Sequence, residues 1–282
     1  MIRIRRWLPT FAAASAALTG MAVSTLAYAA PLPEQGIGMP RDASLDGHRI
    51  DWLIHVTMAF VAVLFVIMCI WLFSACFRHR DGFHKAEYDH GDARHQVRFA
   101  AGMSALIFFV VDGNLWVNST MDVNGVFWNF AGAEKKPDAV RIEVNAHQWA
   151  WDTRYAGPDG KFNTPDDIVS LNDVRVPVGR PILIQLASAD VIHSFYLPNF
   201  RVKQDAMPGQ INRMWFQPMQ VGQYDIACAQ HCGTNHYKMK ATLTVLPVEE
   251  WERWAKEASV NSQHAYNADD KDAHWGWDWK LD

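Results

Sequence analysis

The densest chemistry in the chain lies at Cys228-Ala229-Gln230-His231-Cys232-Gly233-Thr234-Asn235-His236-Tyr237-Lys238-Met239, where two thiols, two imidazoles and a thioether fall within twelve residues. Soft thiolate and thioether donors beside imidazole favour copper and disfavour magnesium or calcium. Cys232, His236 and Met239 follow the thiolate, imidazole, weak thioether order of a one-copper electron-transfer loop, which needs a second imidazole from an earlier strand. His193 is the candidate for it. Cys228 is then one thiol too many for a single copper. Two thiolates bridging two coppers in a four-membered ring, each metal completed by one imidazole, account for the surplus. Three other readings use fewer of these residues. A Cys228–Cys232 disulfide leaves the His and Met placements unexplained, structural zinc has no need of Met239, and a thiol redox pair calls for two intervening residues rather than three.

Such a cluster needs a rigid frame, and the sequence around it reads as short strands. Alternating apolar runs at 140–144, 174–178, 182–186, 214–216, 224–227 and 241–246 are broken by turn signals at Gly157-Pro158-Asp159-Gly160, Pro177-Val178-Gly179, Met207-Pro208-Gly209 and Val221-Gly222. Many short strands at this spacing predict a sandwich or small barrel. Helical signals return only at 248–259, where Trp251 and Trp254 lie three apart among acidic residues. The stretch 157–168, with Asp159, Asn163, Asp166 and Asp167, is rich in oxygen donors but lacks the spacing and terminal Glu of an EF-hand, so it reads as a hairpin insertion.

The chain before residue 120 is of another kind. Arg3, Arg5 and Arg6 precede an uncharged stretch ending at Ala27-Tyr28-Ala29, the pattern of a secretory signal cleaved after Ala29. Residues 52–77 contain no charged side chain over 26 positions, more than the ~20 residues a helix needs to cross a bilayer. A second apolar run, 99–111, continues through Asp112-Gly113-Asn114 to Leu115-Trp116-Val117 and reads as a second span. Asp112 within it predicts a neighbouring helix or subunit, because ionisable groups at membrane depth rarely face lipid. Arg78, Arg80, Lys85, Arg94 and Arg98 crowd the connecting loop, which places that loop in the cytoplasm and the later domain outside. Cys69 and Cys76, seven apart on one helix face, read as packing residues.

Composition narrows the function classes further. The 282 residues carry a formal charge of −4, 50% hydrophobic side chains and 13 Trp, which suits neither a disordered chain nor a nucleic-acid binder. Residues 121–282 hold 21 acidic and 16 basic side chains, an excess of negative charge that would steer a basic partner. Trp275, Trp277 and Trp279 near the end read as a further contact surface.

At its metal-type residues the sequence resembles subunit II of haem-copper cytochrome c oxidases, and the resemblance covers nearly the whole chain. Besides the cysteine loop it is carried by Asp190-Val191-Ile192-His193-Ser194-Phe195, by Lys203-Gln204-Asp205-Ala206-Met207-Pro208-Gly209 and by His147-Gln148-Trp149-Ala150-Trp151. It implies a two-helix transmembrane hairpin followed by an all-β cupredoxin-like Greek-key barrel. The corresponding division is a signal peptide at 1–29, an outer segment at 30–50, the hairpin at 51–120, the copper domain at 121–247, and a C-terminal helix with a Trp-rich tail at 248–282. The chain would sit in a bacterial inner membrane with its copper domain on the periplasmic side.

The resemblance also assigns roles. Cys228 and Cys232 would bridge two copper ions of a dinuclear CuA centre, with His193 and His236 as terminal imidazoles. Met239 and the backbone carbonyl of Gln230 would be the weak ligands, one on each copper. Trp149 would be the aromatic through which electrons arrive from a c-type cytochrome; a buried core Trp is the alternative. His231 has no ligand counterpart, and Asp205 would support the site or the contact with the catalytic haem-copper subunit I. The chain departs from the pattern at two places. Gln230 stands where many members have a Glu that binds magnesium, and His95-Gln96-Val97-Arg98 lacks the Glu that many carry at the start of the second span. The implied function is electron relay from the cytochrome to haem in subunit I, which reduces dioxygen and pumps protons, with membrane lipid and other oxidase subunits as neighbours. A CuA subunit of a nitric oxide reductase and a membrane-tethered copper store are the rival readings.

Overall fold

The computed structural model describes residues 38–80, 82, 88–269 and 275–277. The expected signal sequence at 1–29, Lys85 and Trp279 lie outside the described residues. The uncharged run of the first span forms helix α1, Gly47–His79, which starts five residues before the apolar stretch. Its first turn is capped from upstream, where Ser44 Oγ accepts the Gly47 amide at 2.8 Å and itself donates to Asp42 at 2.8 Å. The second span begins as α2, Arg94–Ile107, passes through a π-helical turn at Phe108–Asp112 and continues as α3, Gly113–Asp122. A second π-helical turn, Val123–Phe127, leads to a short helix α4, Phe130–Glu134, so the helical path runs well past the apolar stretch. By length and composition both spans can cross a membrane. Asp112 falls in the first π turn and its side chain is exposed on the single chain.

Ten strands follow. They are β1 Val140–His147, β2 Ala150–Tyr155, β3 Ile168–Leu171, β4 Asp173–Pro177, β5 Ile182–Ser188, β6 His193–Leu197, β7 Val202–Ala206, β8 Asn212–Phe216, β9 Gly222–Cys228 and β10 Lys240–Leu246. They form two five-stranded sheets, ordered β3-β2-β1-β5-β8 and β4-β10-β9-β6-β7. Neighbours pair antiparallel except β1 with β5 and β10 with β4, which are parallel. This is a β-sandwich, one of the two arrangements that the strand spacing predicts, with the cupredoxin-like fold that the resemblance implies. The six strands that alternate cleanly were all legible. β2, β3, β6 and β7 were not, because Asp, Arg, Ser and Lys interrupt their apolar positions.

The core lies between the sheets. Ile142, Val144, Trp151, Ile182, Ile184, Leu186, Phe195, Leu197, Ile226 and Leu243 are essentially inaccessible. Burying each such side chain contributes roughly 1.5–3 kcal/mol. The outward face of the first sheet is covered too. Arg154 lies 3.6 Å from Glu143 and 3.4 Å from Asp167, and the Trp275 ring sits 4.3 Å above its guanidinium. Trp277 donates its indole N–H to Gln185 at 2.6 Å. These two tryptophans therefore pack on their own domain, unlike the free contact surface that exposed tail residues suggested. Helix α5, Val248–Ala265, extends six residues beyond its sequence expectation; Trp251 donates to the Arg175 carbonyl and Ser259 to that of Asp166. The segment 157–168 is a hairpin connection between β2 and β3, its carboxylates accepting bonds from its own Lys161, Asn163 and Thr164.

The hairpin and the sandwich are joined by specific contacts. The segment before α1 is laid against the domain by the Ala43 amide on the Asn199 carbonyl, the Leu45 amide on Gln217 and the Met219 amide on Ala43. Arg201, held at φ +58°, reaches Asp51 of α1 with Nε at 2.7 Å and Nη2 at 3.1 Å. Arg49 ties α1 to Asp122 of α3 at 2.9 Å. Trp215 of β8 donates to the Val126 carbonyl at 2.9 Å. The Arg201 side chain is almost wholly buried and also donates to the Pro40 carbonyl, so removing it leaves Asp51 and that carbonyl without this partner. Arg201→Ala should destabilise the folded chain by about 3 kcal/mol, the lower end for a broken buried pair. The thermal midpoint of the detergent-solubilised full chain should fall accordingly, and Arg201→Lys should recover only part of it, because an ammonium cannot reproduce the two-pronged contact.

Candidate metal centre

One end of the sandwich gathers every donor that the sequence singled out. His193 opens β6, Cys228 closes β9, Met239 immediately precedes β10, and Cys232 and His236 lie in the loop between β9 and β10. That loop is pinned at its ends by the Cys228 amide donating to the Met239 carbonyl at 3.1 Å, and at its shoulder by the Ala229 amide donating to Ser194 at 3.0 Å. Inside it, the His236 amide bonds the Gly233 carbonyl and the Met239 amide bonds that of His236, which curls the chain so that its side chains converge.

The two cysteine sulfurs stand 3.7 Å apart. A disulfide holds its sulfurs at about 2.05 Å, and both thiols are free here. His193 Nδ1 lies 3.1 Å from Met239 Sδ and 4.0 Å from Cys228 Sγ. His236 Nδ1 lies 3.5 Å from Cys232 Sγ, and Cys232 Sγ lies 3.7 Å from Met239 Sδ. The Gln230 carbonyl is 3.2 Å from Cys228 Sγ. His193 and Met239 thus share one side of the sulfur pair, fully buried, while His236 and Gln230 sit on the more exposed side. His193, Cys228 and Cys232 alone place ligand atoms within 4.8 Å of one another, a group able to hold a metal ion. Two thiols, two Nδ1 atoms and a buried thioether facing one small volume fit copper, and an isolated zinc site would leave the thioether without a purpose.

The electrostatics follow from this crowding. Burial pushes the Cys228 thiol up, but hydrogen bonds with His193 and with the backbone at Gln230 and Ser194 outweigh it and bring the thiol down to about 6. Cys232 is pushed up to about 12, first by burial and then by the neighbouring Cys228 sulfur. One sulfur of the pair is therefore readily a thiolate, and the other keeps its proton until a metal displaces it. His193 is raised: burial opposes its charge, but Cys228 and Asp190 overcome the opposition.

The surrounding residues divide between support and surface. Trp149, in the turn between β1 and β2, is half-buried at the rim and donates its indole N–H to the Cys232 carbonyl at 3.1 Å. Gln148 donates to the same carbonyl at 2.8 Å. The core Trp is instead Trp151, packed edge-on to His193 at 6.0 Å and to Phe195 at 5.1 Å. His231 is exposed and stacks on the His236 ring at 5.6 Å. Asp205 accepts a hydrogen bond from Ser194 at 2.6 Å, beside the ligand strand. Cys69 and Cys76 lie within α1, outside this cluster. Sequence reasoning gave no role to Asp190, whose carboxylate lies 2.9 Å from His193 Nε2; its signal was an acid three residues before an imidazole ligand. It also overlooked Gly233.

Comparison with known proteins follows the same outline. The family model described as cytochrome c oxidase subunit II, periplasmic domain, matches residues 140–246. An alternative cytochrome c oxidase subunit 2 from Bradyrhizobium diazoefficiens is 33% identical over 142 residues, covering 43% of this chain and 51% of the relative. The chain thus spans about half the length of that relative. Cytochrome c oxidase subunit 2 of Cereibacter sphaeroides is 24% identical over 256 residues, covering 79% of this chain and 80% of the relative. Among solved structures, the periplasmic domain of cytochrome oxidase subunit II from Bradyrhizobium japonicum is 30% identical, covering 43% of this chain and 94% of its own, with a TM-score of 0.39.

Gly233 holds φ at +115°, and a Cβ there would stand 2.9 Å from Gln148 Nε2 and 3.2 Å from Trp149 Cζ2. Gly233→Ala should therefore cost roughly 1–3 kcal/mol in backbone strain and push Gln148 and Trp149 off the Cys232 carbonyl. A lower thermal midpoint together with weaker copper uptake is the expected outcome, and a variant equal to its parent in both would show that the turn does not depend on this close approach.

Proposed function

This chain belongs to the cytochrome c oxidase subunit II family, and on that premise we propose that it is the electron-accepting subunit of a respiratory haem-copper oxidase, taking electrons from a c-type cytochrome at a dinuclear copper centre. The observation that carries this reading is the convergence of five soft or imidazole donors on one volume with the two sulfurs unbonded at 3.7 Å. Cys228 and Cys232 would hold the copper pair, with His193 and Met239 on the buried side and His236 and the Gln230 carbonyl on the exposed side. Bound there, the dinuclear copper supplies one-electron transfer, its charge spread over both metals.

The protein's part is to hold the geometry. Donors fixed by the ends of β6, β9 and β10 keep their positions whichever redox state is present, so little reorganisation accompanies transfer. Trp151, Phe195 and Met239 keep water from the inner side. Trp149 joins the outer surface to the Cys232 carbonyl, which gives an arriving electron a path of one hydrogen bond followed by the covalent bonds of Cys232 to its sulfur. The negative balance of residues 121–282 favours encounter with a positively charged donor and weakens as salt rises. The exposed apolar faces of α1, α2 and α3 suit lipid and the membrane helices of a catalytic subunit. The domain would then lie on the periplasmic side of a bacterial inner membrane, anchored by the hairpin. Electrons would pass on to haem in that subunit, for dioxygen reduction coupled to proton pumping.

Copper analysis and EPR on the air-oxidised full chain test the reading. Two coppers per chain, with hyperfine structure from one electron shared by both nuclei, are expected; one copper with a localised spectrum would replace electron relay with copper storage. Trp149→Leu removes one of the two hydrogen bonds on the Cys232 carbonyl, and it should slow reduction by a reduced c-type cytochrome in stopped flow far more than it lowers copper content. Unaltered reduction kinetics would remove Trp149 from the electron path.

A further inference from the structure

Asp190 lies in the short connection between β5 and β6, its side chain about one-third exposed. Its carboxylate is nonetheless fully engaged. Oδ1 is 2.9 Å from His193 Nε2 and accepts the Val191 amide at 2.6 Å, while Oδ2 accepts the Gln148 amide at 2.7 Å. Gln148 then reaches from the same turn to the Cys232 carbonyl, beside the Trp149 indole. A single carboxylate therefore joins the buried imidazole on one side of the cluster to the turn that grips a cysteine on the other.

Of these contacts, only the one with His193 depends on negative charge. The Val191 and Gln148 amides use different oxygens, and each could be served by a neutral acceptor. An imidazole that donates Nε2–H to a carboxylate carries its lone pair on Nδ1, and here Nδ1 is the atom that faces Met239 Sδ and Cys228 Sγ. A carboxylate acceptor also makes the ring a stronger electron donor than an amide acceptor does. A stronger donor stabilises the oxidised metal over the reduced one and so lowers the reduction potential.

We infer that Asp190 is a positioning residue that fixes the Nδ1-ligating tautomer of His193, couples it to the Gln148-Trp149 turn, and through its charge holds down the reduction potential of the centre. The inference rests on the dinuclear copper reading given above. Asp190→Asn removes the charge and one of the two acceptor oxygens, keeping an acceptor either for the His193 and Val191 side or for the Gln148 amide. Asp190→Glu keeps the charge and lengthens the reach.

Both variants and the parent should be prepared as full chains, loaded with copper, and compared by copper content, EPR and potentiometric titration. The expected result is two coppers in each. The Asn variant should show a roughly tenfold shift of the oxidised-to-reduced equilibrium toward reduction, which is about 59 mV upward for one electron, together with altered imidazole nitrogen couplings. The Glu variant should stay much closer to the parent. An Asn variant at the parent's potential, or a Glu variant displaced as far as the Asn one, overturns the assignment. If the Asn variant takes up no copper, the Glu variant decides: a potential near the parent's supports the assignment, and a shifted one overturns it. A parent chain without a copper pair overturns this inference together with the reading on which it rests, whereas a normal parent with an insensitive Asn variant overturns this inference alone.

Discussion

Two sulfurs held 3.7 Å apart are close enough to share a metal and too far apart to bond each other, and the outer domain is organised around keeping them so. Cysteines separated by three residues on a flexible loop in an oxidising compartment would readily close into a disulfide. What sets the spacing in this structure is the backbone: Cys228 is locked in strand register against Phe195 and Lys240 against Ala227, while the intervening loop is drawn back to Ser194 and to its own end. Gln148 and Trp149 then hold the Cys232 carbonyl from the opposite sheet. The sulfur spacing is thus a product of both sheets, and a change in either would be felt there.

Much of this was legible in the sequence because its chemistry is compressed. Five donors of three types in a defined order limit the metal before any fold is known, and six strands announce themselves by clean alternation. The remaining strands were hidden for a physical reason. β2 carries Asp152 and Arg154, and β7 carries Lys203 and Asp205, residues whose charges are met by partners distant in sequence or left at an edge. Alternation presumes that the second face is wet, whereas Glu143, Arg154 and Gln185 on that face are buried under Trp275 and Trp277. Pairwise connections such as Asp190 with His193 and Gln148 are equally invisible, since they depend on which loops meet at one end of a sandwich. Gln230 illustrates the converse limit. Its side chain is exposed, and it is the main-chain oxygen that approaches Cys228, so the residue type at that position says little about that contact.

The membrane side imposes its own requirement. A site that exchanges electrons with a partner in the bilayer must be held at a fixed height and orientation, and a flexible tether would not do this. The helical path beyond α3, through the π turn at Val123–Phe127, carries the chain up to the sandwich, where Trp215 grips it at Val126. The segment before α1 returns across the same face through Asn199, Gln217 and Arg201. Because Arg201 and Asn199 lie only a few residues beyond His193 along the chain, the anchoring contacts and one copper-type ligand are borne by neighbouring parts of the same sheet.

The two tryptophans of the β1–β2 turn show how far function depends on strand register. Trp151 faces inward opposite Ala146 and is inaccessible, while Trp149 stands two positions earlier, outside the ladder and at the rim. Side chains in a strand alternate between faces, so a slip of one residue would turn Trp151 outward and bring Ala150 into the core. Such a slip would cost the burial of a large aromatic side chain, and that energy fixes the register. The same register delivers Trp149 to the Cys232 carbonyl and the Gln148 amide to Asp190. Core packing around Trp151 therefore sets, at no separate cost, the placement of the residues through which the outer surface communicates with the sulfur pair.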